Sequence, residues 1–407
     1  MDKKDWKNVK LEVLYEFKSG LSKGKQFFGT GYPFLTYKEI FDNYFVPEKL
    51  NNLAQTSEKE RINFSIRRGD VFLTRTSETV EEVGTSCVAL KDYPNATFNG
   101  FAKRLRPKNK EIYPEYAVYY FRSKMFQNKA ASLCSLITRA SLNNDDLSYL
   151  TISYPDFQIQ KKIGTILINY DFLIINNLKR INLLEKIARL IFNQWFVKFK
   201  FPGHEKAKFV DSALGEIPDG WEIIELGNKI NILRGKTITK TKISPGNIPV
   251  VAAGKNPAYY HNLSNVKAPV ITISASGANA GFIRLYQEDI WASDCSYIDK
   301  DTTKFIYYYY SQLKHKQIEV TALQRGSAQP HVYPKDLMRL LIVDPPEELI
   351  INFENIVKSI FNEIKKLFLK NKILKKTRDI LHLKLISGQV DVSDLDIKIP
   401  ETWEVGA

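Results

Sequence analysis

A few stretches of this chain carry residue types at spacings that chemistry would need. Gly235-Lys236-Thr237 has the ending of a phosphate-binding loop, in which backbone amides and a lysine cradle phosphates, but Ile230 stands where the upstream glycine belongs. Asp344-Pro345-Pro346-Glu347 begins like the Asp-Pro-Pro-aromatic site of amino-methyltransferases. No aromatic follows the prolines, and no glycine-rich strand-turn-helix for S-adenosylmethionine accompanies them. Pro155-Asp156 with Glu363-Ile364-Lys365 would make a nuclease core only on adjoining strands, and both fall in helical patterns. His204, His261, His315, His331 and His382 show no ligand spacing with acids or cysteines, and no serine sits in a Gly-x-Ser-x-Gly elbow. The chain is therefore expected to be non-catalytic and to bind no cofactor or metal of its own.

Basic and small polar residues recur instead in the segments between predicted elements. In the first half these are Lys23, Lys25, Arg75, Thr76, Arg104, Arg139, Ser141 and Asn143. In the second they are Arg234, Lys236, Lys240, Lys242, Ser276, Asn279, Arg284, Arg325, Ser327 and Gln329. Such cations neutralise phosphates, the arginine fork matches a guanine edge, and hydroxyls and amides suit adenine or phosphate oxygens. Each alone reads as solvated surface; as a set in matching places they point to double-stranded DNA. Lys plus Arg number 59 against 45 Asp plus Glu, a net charge of +14 that favours an anionic partner. An AT-rich genome would also leave a chain rich in Lys, Ile and Asn, so a non-catalytic protein-binding scaffold with compositional charge is the alternative. The basic run Lys365, Lys366, Lys370, Lys372, Lys375, Lys376 and Arg378 reads as a solvated helix face.

Two long helices must position these loops. Ile159, Ile163, Ile166, Tyr170, Leu173, Asn177, Ile181, Leu184, Ala188, Ile191 and Trp195 recur at spacings of three and four, as do Phe353, Ile356, Ile360, Ile364, Leu367, Asn371, Leu374, Arg378, Leu381 and Leu385. At about 1.5 Å per residue each helix would run roughly 60 Å, and one apolar seam of that length needs a partner along all of it. An antiparallel coiled-coil pair is predicted.

The segments before and between the helices repeat one another. Trp6, Leu11 and Gly20 have the spacing of Trp221, Leu226 and Gly235. Tyr32-Pro33-Phe34-Leu35 matches Ile248-Pro249-Val250-Val251, Gly69–Thr76 matches Ala268–Ala275, and a turn follows at Gly84 and Gly281. The aromatic helices Tyr116–Phe121 and Phe305–Tyr310 are laid against each other, and the loops before Asp146-Leu147 and Asp336-Leu337 correspond. Glu48–Asn63 and Pro257–Lys267 do not align. Ile399–Trp403 reopens the pattern of Ile217–Trp221, so the plan is a circular pseudo-repeat. The predicted fold class is α+β, with mixed globules at 1–153 and 203–344, long helices at 154–202 and 345–388, and a tail at 389–407. Cys87, Cys134 and Cys295 are odd in number and scattered, which suits a reducing cytoplasm; no apolar run is long enough to span a membrane.

Leu214-Gly215-Glu216-Ile217-Pro218-Asp219-Gly220-Trp221, Gly246-Asn247-Ile248-Pro249, Gly326–Pro330 before Asp344-Pro345-Pro346, and Ile187–Val197 closing the first helix together resemble the specificity subunit of type I restriction-modification enzymes. The resemblance covers nearly the whole chain. It implies two target-recognition domains, each reading one half of a bipartite DNA sequence, with the helices fixing the gap. It further implies two modification subunits that carry S-adenosylmethionine, and restriction subunits that use ATP and Mg. A self-contained restriction-methylation fusion is the enzymatic alternative, disfavoured by the missing motifs.

Overall fold

The two apolar patterns fold as helices Phe157–Phe192 and Glu347–Ile386, the first continuing as a π-helical turn over Asn193–Val197. This is a computed structural model, which describes residues 6–77, 82–133, 135–136, 140–326 and 328–400. The helices begin three and two residues later than the predicted bounds because proline marks the entry. After Pro155, Asp156 Oδ1 accepts from the backbone N–H of Gln158 at 2.8 Å and Ile159 at 3.1 Å, the bonds of an N-cap. The chain divides into unit 1, Met1–Asn177 with Lys370–Ala407, and unit 2, Leu178–Leu369. The division falls within both helices, so each unit holds one globule and half of each helix.

Within unit 1 the helix halves run antiparallel. The Arg378 guanidinium donates to Asp171, and Asn177 Oδ1 and Nδ2 lie in the buried seam, where Nδ2 donates to Asn371 Oδ1 at 2.8 Å. In unit 2 Arg180 and Glu363 pair at 3.1 Å in the same antiparallel sense. Two seam assignments shift. Leu173 and Ile356 are exposed, while their neighbours Ile174 and Val357 are buried. Where apolar residues are adjacent, three-and-four spacing admits either, and in unit 2 it is Val357 that packs into the core.

One sheet order serves both units. In unit 1 the strands Tyr15–Ser19, Ala102–Pro107, Val71–Thr74 and Ser86–Val88 are neighbours in that order; in unit 2 Leu233–Arg234, Cys295–Ile298, Val270–Ser274 and Ile283–Tyr286 repeat it. All pairs in these sheets are antiparallel. The central strands Val71–Thr74 and Val270–Ser274 are buried at every position, which the β-branched runs serve well. A second small sheet also recurs. Phe34-Leu35 pairs parallel with Thr97-Phe98, and Val250-Val251 with Trp291-Ala292. Even the segments that do not align each supply its third strand, Leu53–Ala54 and Tyr259–His261. Gly20 and Gly235 match because a Cβ at either would collide with backbone, at Asn99 O and Ser293 O respectively.

The aromatic helices, Pro114–Arg122 and Ile306–His315, pack under the long ones. Their register differs from the sequence pairing: Tyr116, not Tyr119, corresponds to Tyr308. At Gly164 the first long helix comes so near Tyr116 that a Cβ would stand 2.9 Å from its amide nitrogen. At the matching place in unit 2 a side chain fills the approach, and Glu354 Oε1 accepts from Tyr308 N–H at 2.7 Å. Burial pushes the Glu354 carboxyl up to about 7, against the pull of the Tyr308 and Tyr307 amides and of Lys358. An acid whose folded pKa lies above its unfolded value gives most stability below the unfolded pKa and loses it as pH rises. Unit 2 is therefore expected to lose up to about 3 kcal/mol between pH 4.5 and pH 7 through this group. Glu354→Gln keeps the acceptor and should flatten that part of a plot of melting temperature against pH; an unchanged slope would remove Glu354 as its source.

Candidate nucleic-acid interface

In unit 2 the strand Leu233–Arg234 leaves, Val270–Ser274 leaves and Cys295–Ile298 enters at one end of the four-stranded sheet, so three loops meet there. Arg234 Nη2 donates to Asp294 Oδ1 at 2.6 Å, and the Ser276 hydroxyl, itself buried, donates to the other oxygen of Asp294. Ser276 forms a β-bridge with His331, which bridges in turn to Arg325 through N–H···O bonds of 2.9 and 2.8 Å. Arg325 Nη2 donates to Asp336 Oδ1 at 2.7 Å, from the short helix Pro334–Met338. Asp336 is only 3% exposed, whereas the Arg325 side chain is 62% exposed. The structure thus lines up Arg234, Ser276 and Arg325 with two carboxylates that orient the arginines.

Other predicted residues surround this row. Lys236 is exposed, with its backbone fixed by Ala292 O at 2.9 Å and by the Trp291 indole N–H at 2.8 Å. Lys240 and Lys242 are exposed on the 3-10 turn Lys240–Lys242. Asn279 is half-buried in the turn Gly277–Asn279, and Gln329 is exposed, its carbonyl 2.7 Å from His331 Nδ1. Ser327 lies outside the described residues. Arg284 sits apart, midway along Ile283–Tyr286, where it donates to Lys255 O at 2.7 Å and covers the Tyr286 ring at 4.8 Å.

The corresponding end of the unit 1 sheet is built differently. Arg75 is fixed by its backbone between Phe101 O and Leu142 N, and its buried Nε has no hydrogen-bond partner among the described residues. Thr76 pairs with Ser141 across the strands Thr76–Ser77 and Ala140–Ser141; the Ser141 side chain and all of Arg139 lie outside the described residues. Lys25 is exposed on the turn Lys25–Phe27. Lys23 is held by Gln55 O and Glu60, each at 2.8 Å, with the Phe27 ring 5.2 Å from its ammonium. Arg104 must be corrected. It is 2% exposed, donates to Ser65 O at 2.8 Å and lies over Phe98, so it braces the sheet and offers DNA nothing.

Besides Asp294 and Asp336, Lys103 and Phe101 escaped the sequence reading of the site. Lys103, 5% exposed, donates to Asn144 Oδ1 at 2.5 Å, and burial followed by the charge of Arg75 lowers its pKa. Phe101 is 61% exposed, yet its amide is bound to Asn99 Oδ1 at 2.8 Å and its carbonyl to Arg75 N–H. Gly20 N–H bonds to Ala102 O as Gly235 N–H does to Cys295 O, so Phe101 occupies the position of Asp294. Counting outward from the paired glycines would have found it.

Comparison with known proteins places this arrangement. The family described as type I restriction modification DNA specificity domain matches residues 3–186 and 218–381. The chain is similar to the type I restriction enzyme MjaIX specificity subunit of Methanocaldococcus jannaschii, 26% identical over 420 residues, covering 96% of this chain and 95% of that one. It is also similar to the HindI specificity subunit of Haemophilus influenzae, 20% identical over 478 residues, covering 95% and 100%. Among solved structures, the S subunit of the type I restriction-modification system of M. genitalium matches with a TM-score of 0.58 and 16% identity, covering 93% of this chain and 96% of that one.

Proposed function

Because the chain belongs to the family of type I restriction modification DNA specificity domains, we propose that it reads a bipartite duplex target, one half-site per unit, with the paired long helices setting the gap. The observation that carries this reading is one sheet order recurring in both units with unlike side chains at matching loop positions. A common frame holds the loops, and the loops choose the bases. In this reading the chain is non-catalytic and works in the cytoplasm. Two modification subunits with S-adenosylmethionine methylate adenine, and restriction subunits use ATP and Mg. Leu183, Ile187 and Leu190 support docking of a modification subunit: they share one face of the first long helix and are 57%, 46% and 58% exposed.

The test is a change of spacer. Seven residues added to each helix, between Asn177 and Leu178 and between Leu369 and Lys370, keep the seam in phase and add roughly 10 Å. Methylation of substrates with graded spacing should then favour a gap about three base pairs longer, with both half-sites unchanged. A gap preference that does not move would overturn the ruler, and duplex binding without steep salt dependence would favour the protein-only scaffold.

A further inference from the structure

The two arginines of the unit 2 row are both exposed and aimed, and they stand together at one end of the sheet. Arg234 projects from the end of its strand with 42% of its side chain exposed, and Asp294 fixes one edge of the guanidinium. Asp294 is in turn fixed by Ser276, so neither partner swings freely. Arg325 repeats the device with a different carboxylate, Asp336, whose second oxygen is buried without a hydrogen-bond partner among the described residues. An ion pair whose arginine is exposed contributes little to stability. What it does is hold a planar fork at a set angle, which a phosphate contact does not need and a two-point contact does.

Unit 1 shows what the same frame looks like without that device. Ser19 stands in the place of Arg234, Phe101 in that of Asp294, and Ser135, paired to Ser141 as Arg325 is to His331, in that of Arg325. Asp146 corresponds to Asp336, but it does another task. It accepts from Asn143 N–H at 3.1 Å while Asn143 Oδ1 accepts from Asp146 N–H at 2.7 Å, closing a capping box on the helix Asn144–Tyr149. In unit 2 the helix Pro334–Met338 begins at Tyr333 without any side-chain cap, which leaves its aspartate for Arg325. The carboxylate is kept by the frame in both units, and among the described residues unit 2 alone sets an arginine against it.

We propose that Arg234 and Arg325, oriented by Asp294 and Asp336, each read a guanine in the major groove of the half-site bound by unit 2, and that the unit 1 half-site is read without arginine at these positions. After one Nη2 hydrogen is given to the carboxylate, each guanidinium retains hydrogens on neighbouring nitrogens, enough for O6 and N7 of guanine. The exposed Lys236 beside the row supplies phosphate neutralisation without base choice. This inference rests on the two-reader function above and specifies its chemistry.

The test is selection of bound duplexes from a randomised pool by the full chain in complex with its modification subunit. The native complex should return a bipartite motif in which one half-site holds two strongly chosen G·C pairs. R234K and R325K keep the charge and lose the fork. Each should lower preference for guanine at one of those places by roughly ten- to a hundredfold, with the other half-site and the salt dependence unchanged. D294N, which leaves Arg234 in place, should weaken the same preference as R234K, and the melting temperature of each variant shows whether it folds. Full guanine preference in both lysine variants, beside a bipartite native motif, overturns the inference and leaves the two-reader function standing. Absence of any bipartite motif from the native complex overturns both.

Discussion

Asp171→Ala is expected to destabilise unit 1 by about 3–5 kcal/mol. Asp171 lies on the first long helix at 6% exposure and answers three elements at once. Its Oδ2 accepts from the Tyr119 hydroxyl at 2.5 Å, and its Oδ1 accepts from Arg378 of the second long helix. Arg378 is nearly buried, its guanidinium 4.7 Å from the Tyr44 ring centre, with Asp379 on its outer side. Removing the carboxylate leaves that cation without its inner partner and the Tyr119 hydroxyl without an acceptor. Either loss is costly because Asp171 and Tyr119 are buried. Asp171→Asn should cost less, since its amide oxygen still serves Tyr119. The combination Asp171→Leu, Arg378→Met and Tyr119→Phe removes every unpaired polar group together and should recover most of the loss. Amide hydrogen exchange resolves the units, and the faster exchange should be confined to the aromatic helix Pro114–Arg122 and the helix halves of unit 1. A loss of protection spread evenly over unit 2, or a triple variant as unstable as Asp171→Ala, would refute this account.

Arg378 also illustrates how far the sequence carries. Its place in the seam at three-and-four spacing was legible, and so was its membership of a basic run, yet those readings conflict: one buries it and the other solvates it. What decides is Asp171, distant in sequence and acidic, whose role depends on helix pairing that periodicity implies but does not register. The long helices, their antiparallel sense and the repeat were legible because each rests on spacing, which backbone geometry converts directly into position. Gly20 and Gly235 were informative for the same reason, marking a close backbone approach whatever the side chains around them. The candidate interface was legible only in part. Arg104 and Arg75 stand alike in sequence, each a cation in a polar stretch, but strand alternation and the wall formed by Phe98 and Ser65 turn Arg104 inward. Asp294 drew no notice in the sequence and Asp336 served there only as a mark of the repeat, because neither is a cation or a small polar residue. Their value lies in orienting a neighbour, which only coordinates reveal.

Phe353→Ala should be equally damaging to unit 2, at about 3–5 kcal/mol, although no charge or hydrogen bond is involved. Phe353 is fully buried on the second long helix, and its ring meets Phe192, Phe196 and Tyr308 at centroid distances of 5.8, 5.3 and 6.3 Å. Trp195 closes the cluster at 6.2 Å. These rings come from the end of the first long helix, its π-helical turn and the aromatic helix Ile306–His315, so a single side chain joins both long helices to the globule. The π-helical turn is what makes this possible: its wider winding turns Trp195 and Phe196 together toward Phe353, and Phe196 reaches on to Trp221 at 6.1 Å, where the globule begins. Truncation leaves a cavity that three stiff rings cannot collapse to fill, which places the cost toward the upper end for an aromatic. Phe353→Leu, which refills much of the volume, should recover at least half. If the duplicated frame is what aims Arg234 and Arg325, the alanine variant should expose unit 2 amides to exchange while unit 1 keeps its protection, and selected duplexes should blur in one half-site only. Equal blurring of both half-sites would mean that this cluster supports more than its own unit.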